Sequence, residues 1–149
     1  MTSAVKDEAI GLRRNHVVMV VDDEPTVLRL LERQLRDEPY CLLTTSQPEM
    51  AAGWLHACDV SLVIADQWMP GMDGLGLLRV VADESPTTQR VLLTAAASGE
   101  VVLGTLAGRI RWLMTKPWDA RTLRRRIRLL LRERELDLER RELNAEMAR

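Results

Sequence analysis

Phenylalanine is absent from this chain and tyrosine occurs once, so Leu, Val and Met must fill most of any core. Cysteine is scarce as well. Cys41 and Cys58 fit no metal spacing such as C-x2-C and read as reduced thiols of a cytoplasmic protein. His16 and His56 have no ligand companions and read as structural. No apolar run approaches the about 18 residues of a membrane helix. The opening residues, with Lys6, Asp7, Glu8, Arg13 and Arg14, lack the apolar stretch of a secretory signal. With 21 basic and 22 acidic residues the formal charge is −1, which supplies no field for nucleic acid or an anionic membrane.

What is present is an ordinary globular composition, 46% apolar over 149 residues. One domain of that size buries roughly 70% of its unfolded surface. Residues 1–15 are polar and unpatterned and read as a flexible leader; 16–132 carry the foldable pattern. Within it, apolar strand-length runs at 17–21, 40–45, 60–65, 90–94 and 110–115 alternate with helical segments. Strict alternation of that kind marks βαβ units and a parallel sheet. Pro25 suits the first turn of a helix bearing Val27, Leu28, Leu31 and Leu35 at helical spacing. Further helices are expected at 48–56, at 75–83, from an N-cap at Ser98 to Ala107, and from about Asp119. The fold predicted is α/β, a flavodoxin-like, doubly wound, five-stranded parallel sheet of order 2-1-3-4-5 with five helices, the last extended.

That last segment, 119–149, holds ten Arg, seven acidic residues and no Gly or Pro, so it reads as a long helix whose end, 133–149, projects as a connector. Leu129, Leu136 and Leu143 recur every seven residues, as do Leu131 and Leu138, but the two tracks lie on nearly opposite sides of a helix. They do not form the adjacent stripe of a coiled coil. The Arg cluster at 121, 124, 125, 126 and 128 reads as a solvated face. Trp112 and Trp118 read equally as docking anchors or as ordinary packing.

Four of the predicted strands end at Asp22-Asp23, Asp66, Thr94 and Lys116. In open α/β sheets ligands bind outside the carboxyl ends of the strands. Three carboxylates gathered there raise one another's pKa unless a cation sits among them. Oxygen donors alone suit Mg2+ better than zinc. An ionised aspartate beside a metal and an ammonium can attack phosphorus, and Thr94 can donate to a phosphoryl oxygen.

The run Val17-Val18-Met19-Val20-Val21-Asp22-Asp23-Glu24-Pro25 resembles the opening of response-regulator receiver domains of two-component signalling. The run from Val63 through Asp66-Gln67-Trp68-Met69-Pro70-Gly71-Met72-Asp73-Gly74 resembles that family too, as do Leu92-Leu93-Thr94-Ala95 and Thr115-Lys116-Pro117-Trp118. The resemblance implies that Asp66 is the phosphoacceptor. Asp23, Asp66 and the Trp68 main-chain carbonyl would hold Mg2+ directly, with Asp22 acting largely through a water. It implies that Thr94 moves to the phosphoryl group, that Lys116 pairs with it, and that the Lys116–Pro117 peptide is cis. The expected donor is a sensor histidine kinase or a phosphotransfer protein. The expected output is a change in self-association, through the face of the fourth helix, fifth strand and fifth helix or through the C-terminal helix, or in binding to a linked output domain. Direct binding to nucleic acid or membrane is not expected. Leu113 departs from the family's usual Tyr or Phe at that position, Trp68 is bulky two residues past the phosphoacceptor, and Ala96 cannot orient a water. An enzyme class stays open beside this, a Mg2+-dependent phosphatase forming an aspartyl phosphate, as does a flavodoxin-fold binding module.

Overall fold

The computed structural model describes residues 10–96 and 98–149. Its strands are β1 (Val17–Val21), β2 (Cys41–Thr45), β3 (Leu62–Asp66), β4 (Gln89–Thr94) and β5 (Trp112–Thr115). They alternate with helices α1 (Pro25–Leu35), α2 (Pro48–Ala57), α3 (Gly74–Glu84), α4 (Gly99–Leu106) and α5 (Ala120–Met147). All strand pairs are parallel and the order is β2-β1-β3-β4-β5, as predicted.

The period-two geometry of a strand sends successive side chains to opposite faces. Val18, Val20, Leu62, Ile64, Val91 and Leu93 therefore join one core, with Leu31 and Leu35 of α1 and Leu123, Ile127 and Leu131 of α5. Met19, Val21, Val63, Ala65 and Leu92 join the other, against Ala51 of α2, Leu77, Leu78 and Val81 of α3 and Val101 of α4. Both faces being covered, the central strands read as continuous apolar runs rather than alternating ones. The expected starts at 60 and 110 were early: Val60 and Ile110 are buried, but the strands begin at Leu62 and Trp112. Burial without ladder pairing leaves the same apolar mark in sequence.

Pro25 and Pro48 occupy the first turns of α1 and α2, while Asp73, Ser98 and Asp119 cap α3, α4 and α5 through their side chains. No helix among the described residues is long and apolar enough to cross a membrane. Cys41 and Cys58 are exposed free thiols.

Polar packing runs past the expected boundaries at both ends of the foldable segment. Residues 1–9 of the expected leader lie outside the described residues, but 13 and 14 are not loose. Their backbone N–H groups donate to the Glu135 carboxylate at 2.9 and 2.8 Å. Likewise α5 stays packed past position 133, for Arg134 and Glu135 are buried. His16, structural as expected, bridges Ser61 Oγ and Glu135 Oε2 at 2.8 Å each. Arg132 donates to the other carboxylate oxygen at 3.1 Å. Arg134 donates to Asp59, the Thr87 carbonyl and Ser61. Burial opposes the charge on Glu135, but the donors from His16, Arg14, Arg132 and Arg13 outweigh it and hold the carboxyl below its usual range. This latch closes the sheet edge opposite the predicted site. The Arg cluster is also less solvated than expected, since Arg124 and Arg128 reach Glu38 at 3.9 and 2.7 Å.

Glu135→Ala would leave buried donors without an acceptor, and breaking a buried ionic network from one side costs about 3–5 kcal/mol. Urea unfolding should show a loss of that order, with Glu135→Gln losing less.

Candidate functional site

Parallel pairing sets Val21 beside Ala65, Asp66 beside Leu93 and Thr94 beside Thr115. The residues that follow these strands therefore meet at one edge. Asp22, Asp23 and Asp66 each present a carboxylate oxygen, all within 4.8 Å of one another. Lys116 Nζ lies 3.3 Å from Asp66 Oδ1 and 3.8 Å from Asp22 Oδ2. The Lys116–Pro117 peptide is cis, as expected.

The electrostatics are tense. Asp22 is fully buried; Oδ1 accepts the Glu24 N–H at 2.9 Å, while Oδ2 has no hydrogen-bond partner. Its pKa is pushed up to about 6, chiefly by burial and further by the charge of Asp66, against the Glu24 amide and Lys116. Asp66 is raised for the same first reason, opposed by Lys116 and reinforced by Asp23. Burial works against the Lys116 charge, yet Asp22 and Asp66 outweigh it and hold the ammonium above its ordinary range. A buried Asp22 oxygen with no hydrogen-bond donor, grouped with two further carboxylates and one ammonium 3.8 Å away, fits a hard divalent cation such as Mg2+.

Thr94 is buried at the same edge, but its hydroxyl is engaged within its own turn. It donates to the Ala96 carbonyl at 3.0 Å and accepts the Ala96 N–H at 3.3 Å. Leu113 packs on the core under α2, α3 and α4, at the position where an aromatic was usual. The Trp68 side chain is 67% exposed on the loop after β3. Trp112 and Trp118 both pack against the core under α1 and α5, with Arg126 5.7 Å from the Trp112 ring centre and Trp118 Nε1 donating to Gln34 at 2.7 Å. Packing thus accounts for both. Gly74 begins α3 where a Cβ would sit 2.5 Å from the Asp66 carbonyl oxygen, so only glycine lets the helix approach β3 this closely.

Sequence reasoning assigned no role to Gln67, which is buried beside Asp66. A glutamine in a loop reads as solvent-facing, and the helix end it satisfies lies seven residues further on.

An aspartate whose folded pKa of about 6 exceeds its ordinary value of 3.8 binds protons more tightly when folded, so its ionisation destabilises. In magnesium-free buffer the stability of the wild type relative to Asp22→Asn should fall as pH rises from 4 through 6, by up to about 3 kcal/mol. Denaturant titrations across that window check this; a constant difference would remove the burial penalty.

Comparison with known proteins identifies the family. A family model described as the response regulator receiver domain matches residues 18–128. The transcriptional regulatory protein CseB of Streptomyces coelicolor is 36% identical over 121 residues, covering 80% of this chain and 50% of that protein. The DNA-binding response regulator MtrA of Mycolicibacterium smegmatis is 30% identical over 118 residues, 79% of this chain and 51% of that one. The signal receiver domain of an HD domain-containing protein from Pseudomonas fluorescens Pf-5 superposes with a TM-score of 0.81 at 29% identity, covering 87% of this chain and 96% of that chain. The chain spans about half or less of the length of the first curated relatives it matches. With the model match running through both ends of the sheet, this chain belongs to the response-regulator receiver domain family of two-component systems.

Proposed function

We propose that Asp66 accepts a phosphoryl group from a phosphohistidine of a sensor histidine kinase or phosphotransfer protein, and that the domain switches a partner interaction in response. The observation that carries this reading is the 3.3 Å approach of Lys116 to Asp66 within a carboxylate cluster whose buried Asp22 oxygen lacks a donor. In the transfer, a carboxylate oxygen of Asp66 forms a bond to phosphorus as the phosphorus–nitrogen bond to the donor imidazole breaks. Asp22, Asp23, Asp66 and the Trp68 carbonyl would hold Mg2+, which when bound neutralises charge on the phosphoryl oxygens. Lys116 pairs with one of those oxygens. The Thr94 hydroxyl leaves Ala96 and donates to another.

That exchange of partners biases the α4, β5 and α5 face between two packings. The readout is self-association through that face or through α5, or engagement of a linked output domain. The family's place in two-component signalling and the DNA-binding regulators among the relatives support a linked output. The chain itself is read as a cytoplasmic module without direct contact to nucleic acid or membrane. It is a signalling receiver rather than a turnover enzyme, its own chemistry limited to taking up and losing one phosphoryl group.

Intact mass after acetyl phosphate with Mg2+ should show one phosphoryl group per chain, lost in Asp66→Ala, with sizing chromatography on each sample reporting the switch. Multiple turnover of p-nitrophenyl phosphate would instead favour a phosphatase. The exposed Trp68 stands two residues past the acceptor, and its bulk supports the reading that it shields the acyl phosphate from water. Dephosphorylation of Trp68→Asn should therefore run severalfold faster than wild type, and equal rates would dispose of the shield.

A further inference from the structure

Resting on the phosphoacceptor reading above, we infer that Gln67 is a positioning residue that binds the start of α3 and the end of β4 to the peptide carrying Asp66, and so sets the geometry in which the site holds its cation.

Helix α3 opens with three backbone N–H groups that have no partner inside the helix. All three are satisfied from the loop. Gly74 N–H donates to the Gln67 main-chain oxygen at 3.2 Å, and Leu75 N–H to Gln67 Oε1 at 3.0 Å. Gly76 N–H donates to Asp73 Oδ1 at 2.7 Å. Two of the three thus end on a single residue, the one that follows the acceptor aspartate. Gln67 Nε2 faces Asp73 Oδ2 at 3.5 Å, and its own N–H donates to the Leu93 carbonyl at 2.9 Å, one residue before Thr94. The side chain is only 3% exposed, so these bonds form away from competing water.

The loop from 67 to 74 carries the Trp68 carbonyl, and Gln67 closes it from inside. Groups that orient metal ligands without touching the metal are typically worth about 10- to 100-fold in metal affinity. Replacing this amide by an apolar chain of similar length leaves the Leu75 N–H orphaned and frees the loop.

The test is calorimetric titration of the full chain with Mg2+ alone, together with amide exchange at Leu75. Gln67→Met should weaken Mg2+ by roughly 10-fold and speed Leu75 exchange. Thr88→Val, which removes a buried hydroxyl bond to the Val60 carbonyl on the opposite edge of the sheet, should lower the melting temperature yet leave Mg2+ affinity unchanged. The double exchange Gln67→Glu with Asp73→Asn keeps an acceptor for Leu75, a donor between the two side chains and the net charge, and should recover wild-type affinity within a few fold. If Gln67→Met does not fold, Gln67→Asn, too short to reach Leu75, takes its place with the same expectation. Wild-type affinity in Gln67→Met, or a double exchange as weak as the single, overturns the inference. Failure of the wild type itself to bind Mg2+ and to be labelled on Asp66 would instead strike the phosphoacceptor reading.

Discussion

Everything at the upper edge of the sheet is organised around two carboxylates held out of water. Asp22 and Asp66 are both buried; the charge of Asp66 raises the energy of ionising Asp22, and the charge of Asp23 does the same for Asp66. One ammonium, Lys116, lies within 4 Å of both and opposes that cost only in part. An anionic oxygen left over without a donor is a standing debt that a divalent cation can settle. A parallel sheet suits this because every strand delivers its carboxyl end to the same edge, and helical crossovers on both faces keep that edge dry beneath.

The same edge is tied together by short hydrogen bonds. The Thr94 hydroxyl makes both of its bonds to Ala96, on the turn leading towards α4. Its neighbour Leu93 is tied through its carbonyl to Gln67, and Gln67 in turn to the start of α3. Backbone and side-chain bonds thus link the ends of β3 and β4 to the start of α3 within a few residues of Asp66.

Much of this was legible from the chain alone, for reasons specific to each element. Central strands covered on both faces produce unbroken apolar runs, and the runs ended in the residues that meet. The cap at Ser98 is a local hydrogen bond, so local sequence reports it. The illegible part is long-range and polar. His16 meets Glu135 across 119 positions, and a helix written in Arg and Glu gives no sign that Arg134 and Glu135 are interior while Leu136 is half exposed. Of the two leucine tracks, Leu131 is buried and Leu129, Leu136 and Leu143 face outward. Only the fold decides that choice. Leu113, in place of an aromatic, was visible in sequence, but what it packs against was not.

The Glu135 latch gives the last helix a mechanical character. The packed part of α5 is pinned beside Lys116 by its Asp119 cap and at its far end by the carboxylate that grips His16 and the backbone of 13 and 14. Past that second pin the helix runs twelve residues further to Met147, about 18 Å at 1.5 Å per residue, accompanied by the surface pair of Arg14 and Glu142. A beam held at two points is stiff between them and free only beyond the second. A tilt of ~10° of that free arm about Glu135 would carry the tip through ~3 Å, the scale of a side-chain contact.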